Sequence, residues 1–459
     1  MEQATTQKFT MINLTQKTHF TAAVALLVSI LGTQTIFAAD TAPTPEDLNH
    51  DYGFIFICAA MVFFMKAGFC CLETGLIRSK NAINTALNNA LDTGTSVLGY
   101  LFLGFGLMFG PELIKGFLGF GNLPFGGYSG DHPVWIFFFF QVVFCAVTLT
   151  IAKGAMAERT SYLGYMIFTL IGGAVIYPIL GHWVWGSFGT GFGFAGEKGW
   201  LEALGFKDFA GSTVIHAMGG AFALAGIMVV GPRVGRFNKD GSANTIPGHN
   251  MPLIALGSFI LWFGWFAFNA GSNLAEGPIV GKIATNSLVS GCSGLLFTVL
   301  VYRLKNGWVD ATASFNGALG GLVAITASSD LVHPVAAVFI GAISSLVTGL
   351  MPHLLAKFKL DDAVDAVSVH LGCGIFGTLC VSVFNPNAPF SNFGVQFLGA
   401  FSVSIGAFVA SYAVFKVIDL TIGMKVAAED QITGLDFADH SANAYPNFTI
   451  IENINEEER

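Results

Sequence analysis

Charge is what this sequence has least of. Only 11% of its 459 residues are Asp, Glu, Lys or Arg, against 53% hydrophobic, and the mean hydropathy is +0.64. So few polar side chains cannot cover a water-facing globule, which means that most of the outer surface must face lipid. A net charge of −8 provides no basic surface for nucleic acid. The cysteines, Cys58, Cys70, Cys71, Cys145, Cys292, Cys373 and Cys380, lie in apolar runs without paired spacing. That argues against a disulfide framework or a zinc knuckle and makes them packing residues. No His-Glu-x-x-His pattern or nucleophile constellation occurs, so neither metal, cofactor nor enzymatic chemistry is expected. Glycine (56) and phenylalanine (45) are abundant instead. Small residues let spans pack backbone to backbone, and large rings fill the gaps without polar atoms.

The pattern is that of an all-α polytopic membrane protein. Residues 1–39 read as a signal peptide, with an apolar AAVALLVSILGTQTIF and an exit near Ala38 or Ala39. Ile36 or Phe37 at the position three before the cut is large for a peptidase, so an uncleaved extra span is the alternative. An extracytoplasmic segment, 40–51, would follow. Beyond it eleven runs could cross a hydrocarbon core at roughly 20 residues each: 52–77, 86–109, 133–156, 162–187, 209–231, 252–273, 283–302, 311–328, 333–354, 364–384 and 395–419.

Short cytoplasmic loops are enriched in Lys and Arg. With the N-terminus outside and the C-terminus inside, Arg78, Lys80, Lys153, Arg159, Arg233, Arg236, Lys239, Arg303, Lys305, Lys357, Lys359, Lys416 and Lys425 fall on the inner side. Only Lys115, Lys198, Lys207 and Lys282 fall outside.

Two histidines share a spacing. Asp208 precedes His216 by eight residues in the fifth span, with Gly220 four residues further on; Asp362, His370 and Gly374 repeat this in the tenth. A five-span unit, 52–231, followed by a second, 252–384, enters the membrane from opposite sides, which is the logic of a five-plus-five inverted repeat. The eleventh span, 395–419, and a cytoplasmic tail, 420–459, complete the chain. Eight helical residues rise roughly 12 Å, so in a core of about 30 Å the two imidazoles approach the midplane from opposite faces. A lone histidine of this kind can be a core residue bonded to a backbone carbonyl. Two at matching positions point to a pathway, since ionisable groups inside a membrane usually line one.

The same topology orders other side chains by depth. Trp185 of HWVWG and Ser272 of NAGS fall near the outer mouth. Phe144 and Phe268 lie further in, with Phe140 one turn from Phe144, and the histidines lie deepest. Aromatic faces attract a cation and a serine hydroxyl can accept its hydrogen bond. An interfacial aromatic belt with lipid-facing phenylalanines is the other reading of the rings.

DFAGSTVIH, WFAFNAGS, FQVVF, HWVWG, DAVDAVSVHLGCGIFGT and the tail GMKVAAEDQITGLDFADHSANAYPNF together resemble the ammonium transporter family (Amt/Mep/Rh), of bacterial type, with Trp185 and NAGS favouring the Amt branch over Rh. The resemblance runs from about 50 to 448. It implies that Trp185, Ser272 and Phe144 form an outer recruitment site for ammonium, and that Phe144 and Phe268 form the gate. It further implies that His216 and His370 line the pore, and that Asp208 supports the outer site through the backbone. A homotrimer in the inner (plasma) membrane is implied, with a PII-type signalling protein as a partner at the cytoplasmic tail. The expected route is recruitment of NH4+, deprotonation near Phe144, and passage of NH3 past the histidines, with a possible proton relay between them. The alternatives are an ammonium sensor, expected to carry an appended signalling domain that the run to NINEEER does not show, and a channel for another small neutral molecule.

Three residues depart from the family pattern: Lys66, Glu73 and Asp92 in the first two spans. A buried charge is tolerable when paired. We therefore expect a Lys66, Glu73 and Asp92 cluster acting as a polar clamp between helices, with a coupling-ion site or snorkelling, isolated groups as the other readings. Ser212 stands where a second glycine is usual, a small change that keeps close packing.

Overall fold

A computed structural model describes residues 51–446 except 122, 124–127 and 194–195. The signal-peptide reading, all but Asp51 of the segment 40–51, and the end of the tail lie outside the described residues. Nine described helices are long and apolar enough to cross a membrane: α1 Tyr52–Leu76, α2 Ser79–Phe109, α3 Val134–Ala155, α4 Tyr162–Phe192, α5 Ser212–Val230, α6 Met251–Gly271, α7 Pro278–Asn306, α9 Pro334–Lys357 and α11 Phe393–Thr421. Two shorter apolar helices, α8 Ala311–Ile325 and α10 Val367–Val383, occupy the remaining expected positions. A small antiparallel hairpin, Glu112–Ile114 with Leu118–Gly119, sits after α2.

The largest boundary difference is in α2, which starts at Ser79 rather than 86. Its first turns carry Asn81, Asn84, Thr85, Asn88 and Asn89, too polar for an apolar window. All of them but Asn88 are buried. These side chains face protein rather than lipid: Asn81 Oδ1 accepts from the Leu435 amide, and Asp436 and Asp439 take the amide and side chain of Asn84. Lys80 donates to the carbonyls of Gln431 and Ile432. The tail helices α12 Ala428–Thr433 and α13 Leu435–His440 are thereby fastened to the start of α2.

Helices meet without a water-driven hydrophobic term in lipid, so close backbone approach has to do the work through van der Waals contact. α1 lies along α6 for much of its length. A Cβ on Gly257 would sit 2.3 Å from the Leu72 backbone nitrogen, which explains why this crossing needs glycine.

Just beyond the ends of α1, α3 and α5, several arginines turn into the protein. Arg233 is bidentate on Asp361 (2.8 and 2.9 Å) and reaches Glu158 at 3.2 Å. Glu158 also holds Arg78, and Arg236 approaches Asp361 at 3.3 Å. Arg159 donates to the carbonyls of Gly231, Ala155, Ala157 and Asp361. Burial by itself would raise the Asp361 carboxyl, but the Arg233 hydrogen bonds and the Arg159 and Arg233 charges hold it below the ordinary carboxylate range.

The expected Lys66, Glu73 and Asp92 cluster needs correcting in its connections. Lys66 does pair with Asp92 at 2.7 Å, but Glu73 pairs with Lys153 of α3 at 2.6 Å. Asn89 and Thr150 join the halves: Asn89 donates to Glu73 (3.0 Å), and Thr150 donates to Asp92 (2.8 Å) and Asn89 (3.2 Å). Three helices are therefore tied rather than two. Lys153, assigned from sequence to the inner-side charges, is 6% exposed. A lysine near a span end is ambiguous in sequence, because a long stem can carry its charge either to the interface or to an internal acid.

Candidate functional site

The site begins where α5 and α10 start irregularly. Gly211 enters α5 at φ 111°, and Asp365 holds φ 60° just before α10. Each helix then opens with a π-helical segment, Ser212–Ala217 and Val367–Gly372, and each segment contains one of the two histidines. The regular eight-residue rise expected between aspartate and histidine is therefore replaced. Asp208 lies before α5 and accepts from the backbone N–H groups of Gly211 (3.1 Å), Thr213 (2.9 Å) and Val214 (2.8 Å). Asp362 does the same before α10, taking Val364 (3.3 Å) and Val367 (2.7 Å). A helix start leaves its first amides without partners, and a carboxylate there satisfies them. Burial pushes the Asp208 carboxyl up to about 6 despite those amides.

The glycine that follows each histidine by four residues is what lets the two segments touch. A Cβ on Gly220 would lie 2.3 Å from the Leu371 nitrogen, and one on Gly374 would lie 2.4 Å from the Ser212 carbonyl. His216 and His370 meet between them with Nδ1 to Nδ1 at 3.1 Å and ring centroids 5.2 Å apart. One proton lies between the two Nδ1 atoms, so one ring donates and the other accepts. The donor ring must then present a bare Nε2, and the acceptor ring, if neutral, an Nε2–H. The pair offers one acceptor and one donor to whatever lies beside it. His216 Nε2 is fully buried and has no hydrogen-bond partner among the described residues.

Rings continue from the histidines in a column. His216 lies 5.5 Å from Phe268, Phe268 lies 4.4 Å from Phe144, and Phe144 lies 4.8 Å from Phe140. Phe144 and Phe268 are 1% and 0% exposed, so the column is closed at this point by two rings in contact. Above it a narrow space is bounded by Phe140, Phe144, Trp185, Phe188 and Ser272. That space adjoins an open cavity of about 510 Å³, also lined by Trp185, Phe188 and Ser272 together with Glu202 and Asp208. Trp185 Nε1 donates to the Asp208 carbonyl at 2.8 Å, which fixes the indole plane through the segment that Asp208 organises. The Ser272 hydroxyl donates to the Phe268 carbonyl at 2.8 Å, leaving its oxygen lone pairs for a donor in the cavity.

Sequence reasoning missed three rings. Trp265 stacks on His216 at 5.0 Å and 16°, held by its Nε1 on Thr326 (2.9 Å). Phe69 lies 6.3 Å from His370, and Phe188 stacks on Trp185 at 5.9 Å and 18°. Trp265 and Phe188 each stand three residues from a ring already named, on the same helical face. With so many phenylalanines, that spacing alone singles out nothing.

Residues 53–445 match the model of the Ammonium Transporter Family. The chain belongs to the ammonium transporter family. It is 36% identical to the ammonium transporter Amt2 of Archaeoglobus fulgidus, over 94% of this chain and 95% of the relative. A family relative from Synechocystis sp. is 41% identical over 84% of this chain and 73% of its own length. Among solved structures, a sensor Amt protein superposes with a TM-score of 0.79 at 37% identity, covering 85% of this chain and 98% of that one. Candida albicans Mep2, at 23% identity and TM-score 0.74 over 86% of this chain and 93% of that one, shares the fold. The relatives named as family members are transporters rather than enzymes, and the family is one of multi-pass membrane proteins.

Proposed function

We propose that this protein conducts ammonium through the ring column, taking NH4+ from the outer cavity, handing its proton near Phe144 to a relay through the His216–His370 pair that carries it to the far side, and passing NH3 along the same pair, so that one positive charge crosses with each ammonia. The observation that carries this reading is the continuous contact from Phe140 through Phe144 and Phe268 to the His216–His370 pair. A dehydrated monovalent cation between Phe144 and Phe268 would pay on the order of tens of kcal/mol in a dry low-dielectric site. Neutral ammonia pays only for lost hydrogen bonds, and the buried Nε2 atoms of the histidine pair can replace some of them. Potassium, which matches ammonium in size, can neither donate hydrogen bonds to Ser272 nor lose a proton, so the same path refuses it. Trp185 and Phe188 supply cation–π attraction of about 0.5–2 kcal/mol. Asp208 acts on the site through the backbone of its own segment, whose carbonyl holds the Trp185 indole.

In this reading the chain crosses an inner (plasma) membrane eleven times, N-terminus outside, as two inverted five-helix units. The matched Asp–π-segment–His starts of α5 and α10 support that symmetry. Three copies assemble with one pore each, and the cytoplasmic tail receives a PII-type protein.

Ammonium-pulse currents from proteoliposomes on a supported membrane test the mechanism. His216→Ala and His370→Ala should each lose most of the ammonium current or lose potassium exclusion. Unchanged current with unchanged exclusion in both variants would remove the histidines from the pathway. Sensing is the second reading, favoured by the likeness to a sensor Amt protein; wild-type protein that binds ammonium without passing current would establish it.

A further inference from the structure

The outer cavity holds a carboxylate that the pore reading does not use. Glu202 sits on the one-turn helix Trp200–Ala203 and lines the same cavity as Trp185, Phe188 and Ser272. Its side chain is pinned from below: Glu202 Oε1 accepts from the Ser187 hydroxyl, and Oε2 accepts from the Ser187 amide at 3.3 Å. Ser187 lies between Trp185 and Phe188, so the carboxylate is tied to the segment that presents both rings.

The platform under it is rigid. The Trp200 amide donates to the Gly116 carbonyl at 2.8 Å, and the Trp200 ring stacks on Phe117 at 5.7 Å and 15°. Trp183 meets Trp200 edge-on at 5.8 Å, and the Phe206 amide closes the turn on the Leu201 carbonyl at 3.0 Å.

The other charged groups lining the cavity are already matched. Asp208 spends both oxygens on backbone amides, and Lys207 is drawn to Asp330 at 2.6 Å. Glu202 is the lining carboxylate whose described partners are a neutral hydroxyl and an amide, which orient its charge without cancelling it.

We propose that Glu202 is a capture residue for monovalent cations: it concentrates NH4+ and methylammonium in the outer cavity and hands them to Trp185, Phe188 and Ser272. A fixed charge in a water-filled mouth acts over several ångströms and is screened by salt. It raises local cation concentration and on-rate. It cannot discriminate ammonium from potassium, so selectivity stays with the rings and the histidine pair. This assignment rests on the outer cavity being the entrance, as proposed above.

The test uses the full-length protein in proteoliposomes with ammonium concentration series at about 10 mM and about 1 M ionic strength, set with N-methylglucamine chloride. These span Debye lengths of about 30 Å and 3 Å. E202Q has the same shape and loses the charge: its one oxygen can still accept from the Ser187 amide, while its NH2 can donate to the Ser187 hydroxyl in place of accepting from it. It should raise half-saturation about threefold at low ionic strength, converge with wild type at high, and keep the saturating current and potassium exclusion. E202K should raise half-saturation about tenfold at low ionic strength, while E202D should stay near wild type. Equal half-saturation for wild type and E202Q at low ionic strength would overturn the proposal, as would a loss independent of salt or a drop in saturating current. If wild type carries no current, the pore reading fails by itself. Calorimetric titration of solubilised wild type and E202Q with ammonium chloride at the two ionic strengths then decides Glu202 by the same salt-dependent difference.

Discussion

Replacing Lys153 with methionine removes the partner of Glu73 while nearly conserving the length of the side chain. Glu73 is 2% exposed, lies 2.6 Å from Lys153, and keeps one other described partner, the Asn89 amide at 3.0 Å. A Cβ on Gly154 would lie 2.7 Å from Glu73 Oε1, so the carboxylate has no room to swing away on that side. Breaking a buried pair by removing one member leaves an uncompensated charge and costs about 3–5 kcal/mol. Removing both charges should cost far less, because E73Q can still accept from Asn89; we expect K153M/E73Q to lose about 1–2 kcal/mol. The coupling between the positions should then be about 2 kcal/mol or more. Reversible unfolding of the purified protein in mixed detergent, run as a double-mutant cycle, measures it. A loss below about 1 kcal/mol in K153M, or a double variant no milder than the single one, would refute the ion pair as the element joining α1 to α3.

Four further outcomes follow from the geometry. G220A or G374A should separate the two histidine segments and lower stability by about 1–3 kcal/mol, with transport lost in the fraction that folds; a fully active, equally stable G220A would contradict the 2.3 Å approach to Leu371. W185L should raise half-saturation for ammonium about two- to fivefold, the loss of one cation–π contact, as read from concentration-dependent currents. The Asp361 carboxyl is held below its ordinary range, so its stabilising effect is fully present above the unfolded value near 3.8 and is lost as pH falls through the depressed folded value. D361N should therefore be less stable than wild type at pH 7, with the gap closing only below about pH 4; a gap that stays constant down to pH 2 would show that the Arg233 pairing is not its source. Replacing Lys80 with alanine removes its two donations to the α12 carbonyls. It should free the tail to limited proteolysis without altering the ammonium current per folded molecule, and unchanged cleavage rates would disprove that anchoring.

Much of the spanning pattern was legible because lipid-facing and protein-facing helix surfaces are both apolar, so a run of hydropathy marks them equally well. That same property hid the early start of α2. Asn84 and Thr85 read as loop until the tail and Lys153 are placed against them. The histidine pair was legible from its repeated spacing, whereas Trp265 against His216 was not, since one more tryptophan in an apolar helix carries no mark of its neighbour.

By itself the sequence determined that this chain lives in lipid, that it carries the motifs of an ammonium transporter, and that His216 and His370 belong together. The first and last of those follow from composition and local spacing along one chain, and the second from the resemblance of its motifs to a known family. Only the tertiary structure decided that the histidines ride on π-helical segments brought together by Gly220 and Gly374, that Glu73 answers to Lys153 rather than to Lys66, and that Glu202 faces the cavity of Trp185. Each of those depends on residues tens to hundreds of positions apart meeting within a few ångströms. A buried charge requires some partner, and nothing in its local sequence says which one.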